Sequence, residues 1–191
     1  EPLTDYSRFK ADCEQILLEF QTPDFTGVTI RPATVCGYSP RLRLDLTVNI
    51  LTSLAINRGE ITVFGGQQKR PNIHIEDVTD LYCQLLELPK EKIAGKVFNA
   101  GYENHKVAEI AAMVRKIVGE KQVKITTTPT DDHRSYHISS EKIRKELEFE
   151  PSHTIENAVE DLKRAFKNKL IGNPDDSRYY NVKLMREFNL S

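Results

Sequence analysis

The sequence is poor in cysteine, has no long apolar run and shows no excess of charge of either sign. Its three cysteines are widely spaced, which argues against a disulfide framework or a zinc knuckle and fits a reducing, cytoplasmic setting. No stretch approaches the ~18 apolar residues of a membrane span, and no signal-peptide pattern is present. Lysine plus arginine number 27 against 28 aspartate plus glutamate, so neither nucleic acid nor an anionic membrane is an expected partner.

Several polar residues carry no predicted chemistry. His74 lies in a strand-like run, where a structural histidine bonded to its neighbours is expected. The other histidines, at positions 105, 133, 137 and 153, lack the spacing of metal ligands, so no metal site is predicted. Asp77 is expected to cap the helix that follows it. Gly65 and Gly66 indicate a turn and not a phosphate-binding loop, because no helix follows them directly.

The first forty residues show two patterns of secondary structure. Apolar residues recur at every third or fourth position, which predicts a helix over about residues 2–20. This apolar stripe consists of Phe9, Cys13, Ile16, Leu17 and Phe20. A β-branched run bounded by Gly27 and Gly37 then predicts a buried strand over residues 28–35. A helix followed by such a strand is half of an α/β repeat.

The rest of the chain continues this alternation as far as Gly172. The further strands are predicted over residues 61–64, 71–75, 96–99 and 122–128, and the further helices over residues 46–59, 76–88 and 107–117 and after the N-caps Ser139 and Thr154. From Gly172 the chain is mainly polar and is predicted to be a tail. The fold class is therefore α/β, as one compact unit plus that tail.

A tyrosine and a lysine, Tyr6 and Lys10, stand one helical turn apart in the first predicted helix. A free tyrosine ionises near pH 10, too high for a general base at neutral pH. A neighbouring cation stabilises the phenolate, so such a pair can exchange a proton with a substrate hydroxyl. The spacing alone also fits two solvated helix residues without function.

Four longer motifs follow this YxxxK pair in a fixed order. They are RPATVCG (Arg31 to Gly37), VFGGQQKRPNIHIEDVTDLY (Val63 to Tyr82), FNAG (Phe98 to Gly101) and DDHRSYHISSEKIRKELEFEP (Asp131 to Pro151). Together with YxxxK they resemble the extended short-chain dehydrogenase/reductase family, whose members are nucleotide-sugar epimerases, dehydratases and reductases. The resemblance covers nearly the whole chain up to the tail.

The resemblance implies the C-terminal part of a Rossmann-like, doubly wound parallel sheet plus a small α/β substrate-binding subdomain. Residues 1–44 would be the last elements of the NAD(P)-binding Rossmann domain. Residues 45–170 would form mainly the nucleotide-sugar-binding subdomain, with some segments returning to the Rossmann sheet. Residues 171–191 would be the C-terminal tail.

The same resemblance implies the catalytic and cofactor residues. Tyr6 would be the catalytic acid/base, and Lys10 would support it and bond the nicotinamide ribose of NAD or NADP. Pro32 and Thr34 would approach the nicotinamide and the sugar. Thr34 stands where many relatives carry asparagine, and Cys36 where they carry tyrosine, so the sugar contacts at these positions differ from the family pattern.

The resemblance also implies residues that bind the nucleotide-diphosphate sugar. Thr62 and Phe64 would lie on the strand that clasps the base. Arg70 would pair with the diphosphate, a task suited to a planar, always charged guanidinium, and Arg134 is a second candidate phosphate ligand. Asn49 would contact the diphosphate region, with the alternative that it only holds a structural hydrogen bond.

A glycine-rich turn for the cofactor pyrophosphate is missing, since the nine glycines include no GxxGxxG or GxGxxG run. With a start at Glu1, the chain is predicted to be the C-terminal half of an enzyme and inactive alone, with its N-terminal half on the same protein or on a separate chain. The resemblance also implies a homodimer through the YxxxK helix. The alternatives are a non-catalytic fragment that keeps sugar-nucleotide binding and a nucleotide-sugar reductase.

Overall fold

The computed structural model describes residues 5–131 and 135–188, and it has a mixed α/β fold. Its strands are β1 (Thr29–Pro32), β2 (Thr34–Cys36), β3 (Glu60–Phe64), β4 (Lys69–His74), β5 (Val97–Ala100), β6 (Glu103–Lys106) and β7 (Lys124–Thr128). Its helices are α1 (Asp5–Glu19), α2 (Thr47–Arg58), α3 (Ile75–Glu87), α4 (Lys90–Ile93), α5 (Val107–Val118), α6 (Glu141–Leu147), α7 (Ile155–Lys167) and α8 (Asn181–Glu187), with a 3-10 turn at Ser177–Tyr179. Within these ranges no helix has both the length and the apolar character needed to cross a bilayer.

The strands form three small sheets that are mainly parallel. β1 pairs with β5, and β3 pairs with β7, both in parallel. β2 pairs in parallel with β4, whose other edge carries β6 in the antiparallel direction. Because parallel strands end at a common edge of a sheet, the residues that follow β2 come together with those at the end of β4.

The single strand predicted over residues 28–35 is in fact two strands with different partners. Pro32 lies opposite Ala100 at the end of β1 and has no amide hydrogen. The Ala33 amide donates to the Ala100 carbonyl at 2.7 Å, and from Thr34 the chain pairs with β4 instead. This change of partner occurs at Pro32, which lines both of the large cavities described below.

Two apolar cores hold the layers together. The first packs α2, α5 and α7 against β3, and its fully buried members include Val48, Ile61, Ile110 and Ala158. The second joins β5 to α3 and α6 through Phe98, Leu81 and Ile143. On α5 and α7 the buried residues recur at helical spacing, as expected for amphipathic helices that pack one face on a core.

Helix α1 is present as predicted, but its apolar stripe is not a core face. No residue of α1 is buried. Phe9 is 61% exposed, Ile16 is 52% exposed and Phe20, just beyond the helix, is 63% exposed. The sequence pattern thus identifies the helix, while the described part of the chain leaves most of its apolar stripe uncovered.

Three of the predicted helix caps have different outcomes. Thr154 caps α7 as predicted, in a reciprocal capping box with Asn157. The N-cap of α6 is Ser140 and not Ser139, and the Ser140 hydroxyl bonds the backbone of Gly101. Asp77 is not a cap either, because it lies inside the first turn of α3, whose N-cap is His74.

The C-terminal segment (residues 172–188) is folded onto the rest of the chain. Tyr179 is buried in a third apolar cluster with Leu42 and Leu44. The Leu44 amide donates to the Tyr179 carbonyl at 2.9 Å. The predicted tail therefore packs against the loop that follows β2.

Candidate functional site

Tyr6 and Lys10 lie on one face of the N-terminal part of α1. The Lys10 ammonium is 5.9 Å from the centre of the Tyr6 ring, as the spacing predicts. Tyr6 is 72% exposed, and it is among the lining residues of two cavities. The phenol is therefore open to ligands from both cavities.

The first cavity, here called the α1–α3 groove, has a volume of about 820 Å³ and is mainly apolar. It lies between α1, β1 and α3, with Tyr6, Lys10 and Pro32 along it. β1 pairs with β5 along one edge, and no strand of the described ranges pairs with its other edge. Arg31 crosses from β1 to Glu14 of α1 in a bidentate pair of 2.5 and 2.8 Å, and this hydrogen bond holds the pKa of Glu14 below its usual value.

The second cavity, here called the arginine cavity, has a volume of about 590 Å³. It brings together four predicted site residues, which are Tyr6, Pro32, Thr34 and Asn49. The cavity also contains Arg41, Arg43 and Tyr136, which sequence reasoning did not identify. None of its described lining residues is aspartate or glutamate, so the cavity favours an anionic ligand.

Asn49 holds the loop between β2 and α2. It is buried, and its side-chain oxygen accepts from the Gly37 amide at 3.1 Å. Its amide group donates to the carbonyls of Gly37 and Arg43 at 3.3 and 2.9 Å. Both amide hydrogens are thus used within the protein. This agrees with the alternative of a structural hydrogen bond, and the diphosphate contact of Asn49 stays a prediction.

Cys36 lies at the end of β2, beside Thr34, and is not a nucleophile in this setting. Its thiol is buried and donates to the Ile73 carbonyl at 3.4 Å. Burial raises its pKa to about 12, so the thiolate is hardly populated at neutral pH. Thr34 lines the arginine cavity, and its approach to the substrate stays a prediction.

Of the remaining predicted substrate residues, Arg70 lies next to residues of this cavity, and Thr62 and Phe64 do not line it. Arg70 places its guanidinium 5.6 Å from the centre of the Tyr136 ring, and Tyr136 and Pro71 line the cavity. Thr62 and Phe64 lie on β3, which pairs with β7 and lines neither of the two cavities as the described residues form them. Arg134 lies outside the described residues.

Arg41 and Arg43 had a signal in the sequence that was not used. They form an R-x-R pair in the loop between β2 and α2, a few residues after Gly37. In open parallel sheets, ligands bind beyond the carboxyl ends of the strands. Two arginines in such a loop are therefore candidates for anion binding, and the structure places both at the arginine cavity.

A separate cluster of histidines and carboxylates joins α3 to the loop before α7. Asp77 accepts hydrogen bonds from the amides of Ser152 and His153 at 3.0 and 3.1 Å and from His153 Nδ1 at 2.8 Å. Although burial by itself raises the pKa of Asp77, these hydrogen bonds outweigh burial and lower it. The hydrogen bond to Asp77 in turn raises the pKa of His153.

His74 stacks on His153, with ring centres 4.9 Å apart. It is structural, as predicted: its Nδ1 accepts from the Glu76 amide at 3.2 Å. Its Nε2 lies 3.2 Å from Asp161 Oδ2 without the geometry of a hydrogen bond. Burial lowers the pKa of His74, so this ring is neutral where His153 is charged.

The same cluster brings potential metal ligands together, which the sequence spacing did not indicate. Ligand atoms of His74, Glu76 and His153 lie within 4.8 Å of one another. However, a neutral His74 that accepts at Nδ1 carries its hydrogen on Nε2 and cannot ligate there. His153 presents its two nitrogens to Asp77 and Glu76, at 2.8 and 3.1 Å. The donor set therefore fits an ion-pair network better than a metal site.

This network predicts a pH-dependent stability. Because the folded pKa of His153 is raised, its contribution is complete below the unfolded value of about 6.5 and is lost as pH rises through the folded pKa. His74 has a lowered pKa, so its effect appears below the unfolded value. As pH falls below about 6.5, the folded state becomes less stable because His74 resists protonation. Between pH 6.5 and 9 only the His153 effect is expected to change.

We expect His153→Gln to lower the free energy of unfolding by about 0.5–1 kcal/mol near pH 6.5 and by less toward pH 9. Urea denaturation of wild type and variant across this range measures the difference. His137→Gln, an exposed histidine in the loop before α6, is the control. If the difference in unfolding free energy between wild type and His153→Gln were the same at every pH, the stabilising charge of His153 would be contradicted.

The described fold matches solved structures of proteins in complex with NAD or NADPH. The dTDP-glucose 4,6-dehydratase of Bacillus anthracis, in complex with NAD, matches 91% of this chain with a TM-score of 0.73 and 22% identity. The UDP-glucuronic acid 4-epimerase of Bacillus cereus, in complex with UDP-glucuronic acid and NAD, matches 88% with a TM-score of 0.75 and 24% identity. RMD from Pseudomonas aeruginosa, complexed with NADPH, matches 88% with a TM-score of 0.74 and 17% identity. These matches establish the Rossmann-like fold.

The chain spans only about half the length of these structures, namely 56%, 54% and 58% of them in the same order. A family model described as the NAD dependent epimerase/dehydratase family matches residues 1–101. That match covers more than half of the chain and includes the YxxxK pair and the motifs from Arg31 to Gly101. It confirms the resemblance that those motifs carry. The chain belongs to the NAD-dependent epimerase/dehydratase family.

Proposed function

We propose that this chain is part of an NAD(P)-dependent epimerase or dehydratase that acts on a nucleotide-diphosphate sugar, with Tyr6 as the acid/base. One observation carries the proposal: Tyr6 lines both the apolar α1–α3 groove and the arginine cavity. An acid/base that serves a hydride-transfer reaction must reach a sugar hydroxyl on one side while the cofactor lies beside it. The number and wide spacing of the cysteines support a reducing, cytoplasmic setting.

The residues of the α1–α3 groove fit the nicotinamide end of the cofactor. The groove offers an apolar wall from Pro32 and Leu85, and the hydroxyl and ammonium of Tyr6 and Lys10 stand along it. A cofactor held there would supply hydride-transfer chemistry toward the sugar. Lys10 would donate hydrogen bonds to the ribose and hold positive charge beside the phenol.

Tyr6 would take the proton from the sugar hydroxyl whose carbon is oxidised, and would return a proton when the sugar is reduced. Thr34, on the wall of the arginine cavity, would orient the sugar toward the phenol. The guanidinium of Arg70, stacked on Tyr136, would hold the diphosphate. The UDP-glucuronic acid in the matched epimerase structure supports this choice of substrate class.

We further propose that the unpaired edge of β1 and the exposed face of α1 are covered in the complete enzyme. A two-stranded parallel sheet needs further strands or helices on its faces, and this chain covers only 56% and 54% of the matched dehydratase and epimerase structures. An N-terminal Rossmann half would supply the missing strands and the glycine-rich turn for the cofactor. The apolar stripe of α1 remains the candidate surface for a homodimer.

The test is turnover by the full-length protein with NAD⁺ and UDP-, dTDP-, GDP- and CDP-sugars, followed by NMR of the sugar. An inverted carbon supports an epimerase, and a 4-keto-6-deoxy product supports a dehydratase. Binding of a nucleotide sugar without any conversion would favour the non-catalytic alternative and overturn the proposed activity.

A further inference from the structure

We propose that Arg41 binds an anionic group of the nucleotide sugar and that the C-terminal segment positions it for that purpose. This inference rests on the proposed function for the identity of the ligand. It assigns a role to residues far apart in sequence, since Arg41 and Asn181 are separated by 140 positions. Arg41 is the group that would touch the substrate, and Asn181 would be a positioning residue.

Arg41 lines the arginine cavity, and some of its N–H groups already donate hydrogen bonds within the protein. One terminal nitrogen donates to the side-chain oxygen of Asn181 at 3.2 Å, and the other donates to the Arg178 carbonyl at 3.4 Å. These bonds use two of the five donor hydrogens of a guanidinium. The remaining hydrogens can bind an anion, because no acidic residue is among the described residues that line the cavity.

A second connection holds the neighbouring part of the same loop. One carboxylate oxygen of Asp45 accepts from Arg43 Nε at 2.9 Å, and the other accepts from the backbone N–H of Asn181 at 3.0 Å. The Leu44 amide also donates to the Tyr179 carbonyl. The C-terminal segment thus contacts the loop at residues 41, 44 and 45, and it fixes the direction in which both arginines approach the cavity.

The two arginines differ in how their charge is used. Arg43 is paired with the Asp45 carboxylate, which offsets its charge. Both described partners of Arg41 are neutral oxygens, so its full positive charge is available to a ligand. A flexible arginine loses side-chain freedom on binding, and fixing it beforehand reduces that loss. This is the benefit that the C-terminal segment would confer.

The experiment is a double-mutant cycle in the full-length protein, with Arg41→Gln, Asn181→Ala and the combined variant. Isothermal titration uses free UDP, dTDP, GDP and CDP, together with UDP-glucose and UDP-glucuronic acid. Arg41→Gln is expected to weaken binding about tenfold or more, and Asn181→Ala about two- to fivefold. Asn181→Ala should cause no further loss once Arg41 is replaced, because the two residues act as one unit.

The set of ligands distinguishes two sources of the anion. A loss shared by free diphosphates and sugar esters identifies the diphosphate, and a loss confined to UDP-glucuronic acid identifies a carboxylate on the sugar. Arg186→Gln, which removes a charge from the exposed face of α8, is the control and should bind like wild type. Circular dichroism confirms that each variant is folded.

Three results would overturn the inference. They are unchanged binding by a folded Arg41→Gln, additive losses in the double variant, and a wild type that binds none of the ligands. Failure of the proposed function is a different result, since it appears as binding without turnover while the double-mutant cycle still shows coupling.

Discussion

Replacing Tyr6 by phenylalanine is expected to lower kcat of the full-length enzyme by about 10²–10⁴-fold while leaving the affinity for the nucleotide sugar close to wild type. The substitution removes one hydroxyl from a side chain that is 72% exposed, so little packing is lost. The ring itself and its contact with Lys10 remain. The change therefore removes proton transfer selectively.

The α1–α3 groove offers a matched control for this experiment. Tyr82 of α3 lines the same groove and is also largely exposed, at 52%. Tyr82→Phe removes the same hydroxyl and should retain most of the wild-type turnover. Steady-state kinetics with direct titration of substrate separates kcat from affinity. Equal losses of kcat and affinity in Tyr6→Phe would show that Tyr6 is a binding or structural residue and not the acid/base.

Local signals in the sequence predicted much of the fold and part of the site. The N-cap Thr154 and the helix that follows it are local patterns, and both are present. The YxxxK spacing places Tyr6 and Lys10 together because a helix has a fixed period. Thr34 and Asn49 line one cavity, because Thr34 begins β2 and Asn49 bonds Gly37 just beyond the carboxyl end of that strand.

Long-range contacts account for what the sequence did not show. Asp77 looked like a helix cap, but its partners are Ser152 and His153, 75 and 76 positions away. Arg41 meets the C-terminal segment 140 positions away. A periodicity reports which face of an element is apolar, but not what covers that face, and so the exposure of Phe9 was not predictable. Such contacts depend on how the elements pack and not on their local pattern.

Replacing Arg70 is expected to have the second large effect, a loss of affinity for the nucleotide sugar. Its guanidinium lies over the ring of Tyr136, 5.6 Å from the ring centre, and donates to the Lys69 carbonyl at 3.0 Å. A planar guanidinium that lies over an aromatic face has its orientation restricted by that contact. Tyr136 and Pro71, the stacking partner and the next residue in sequence, both line the arginine cavity.

We expect Arg70→Ala to weaken binding of the preferred nucleotide sugar about tenfold to a hundredfold. A charge-assisted hydrogen bond contributes ~1.5–3 kcal/mol, and about 1.4 kcal/mol corresponds to a factor of ten in affinity. Arg70→Lys should recover only part of the loss, since an ammonium keeps the charge but not the planar pair of donors. Arg144→Ala, an exposed arginine of α6, is the control for loss of a positive charge. Titration of UDP-, dTDP-, GDP- and CDP-sugars into the folded variants measures the effect, and a well-folded Arg70→Ala that binds as tightly as wild type would show that Arg70 does not hold the diphosphate.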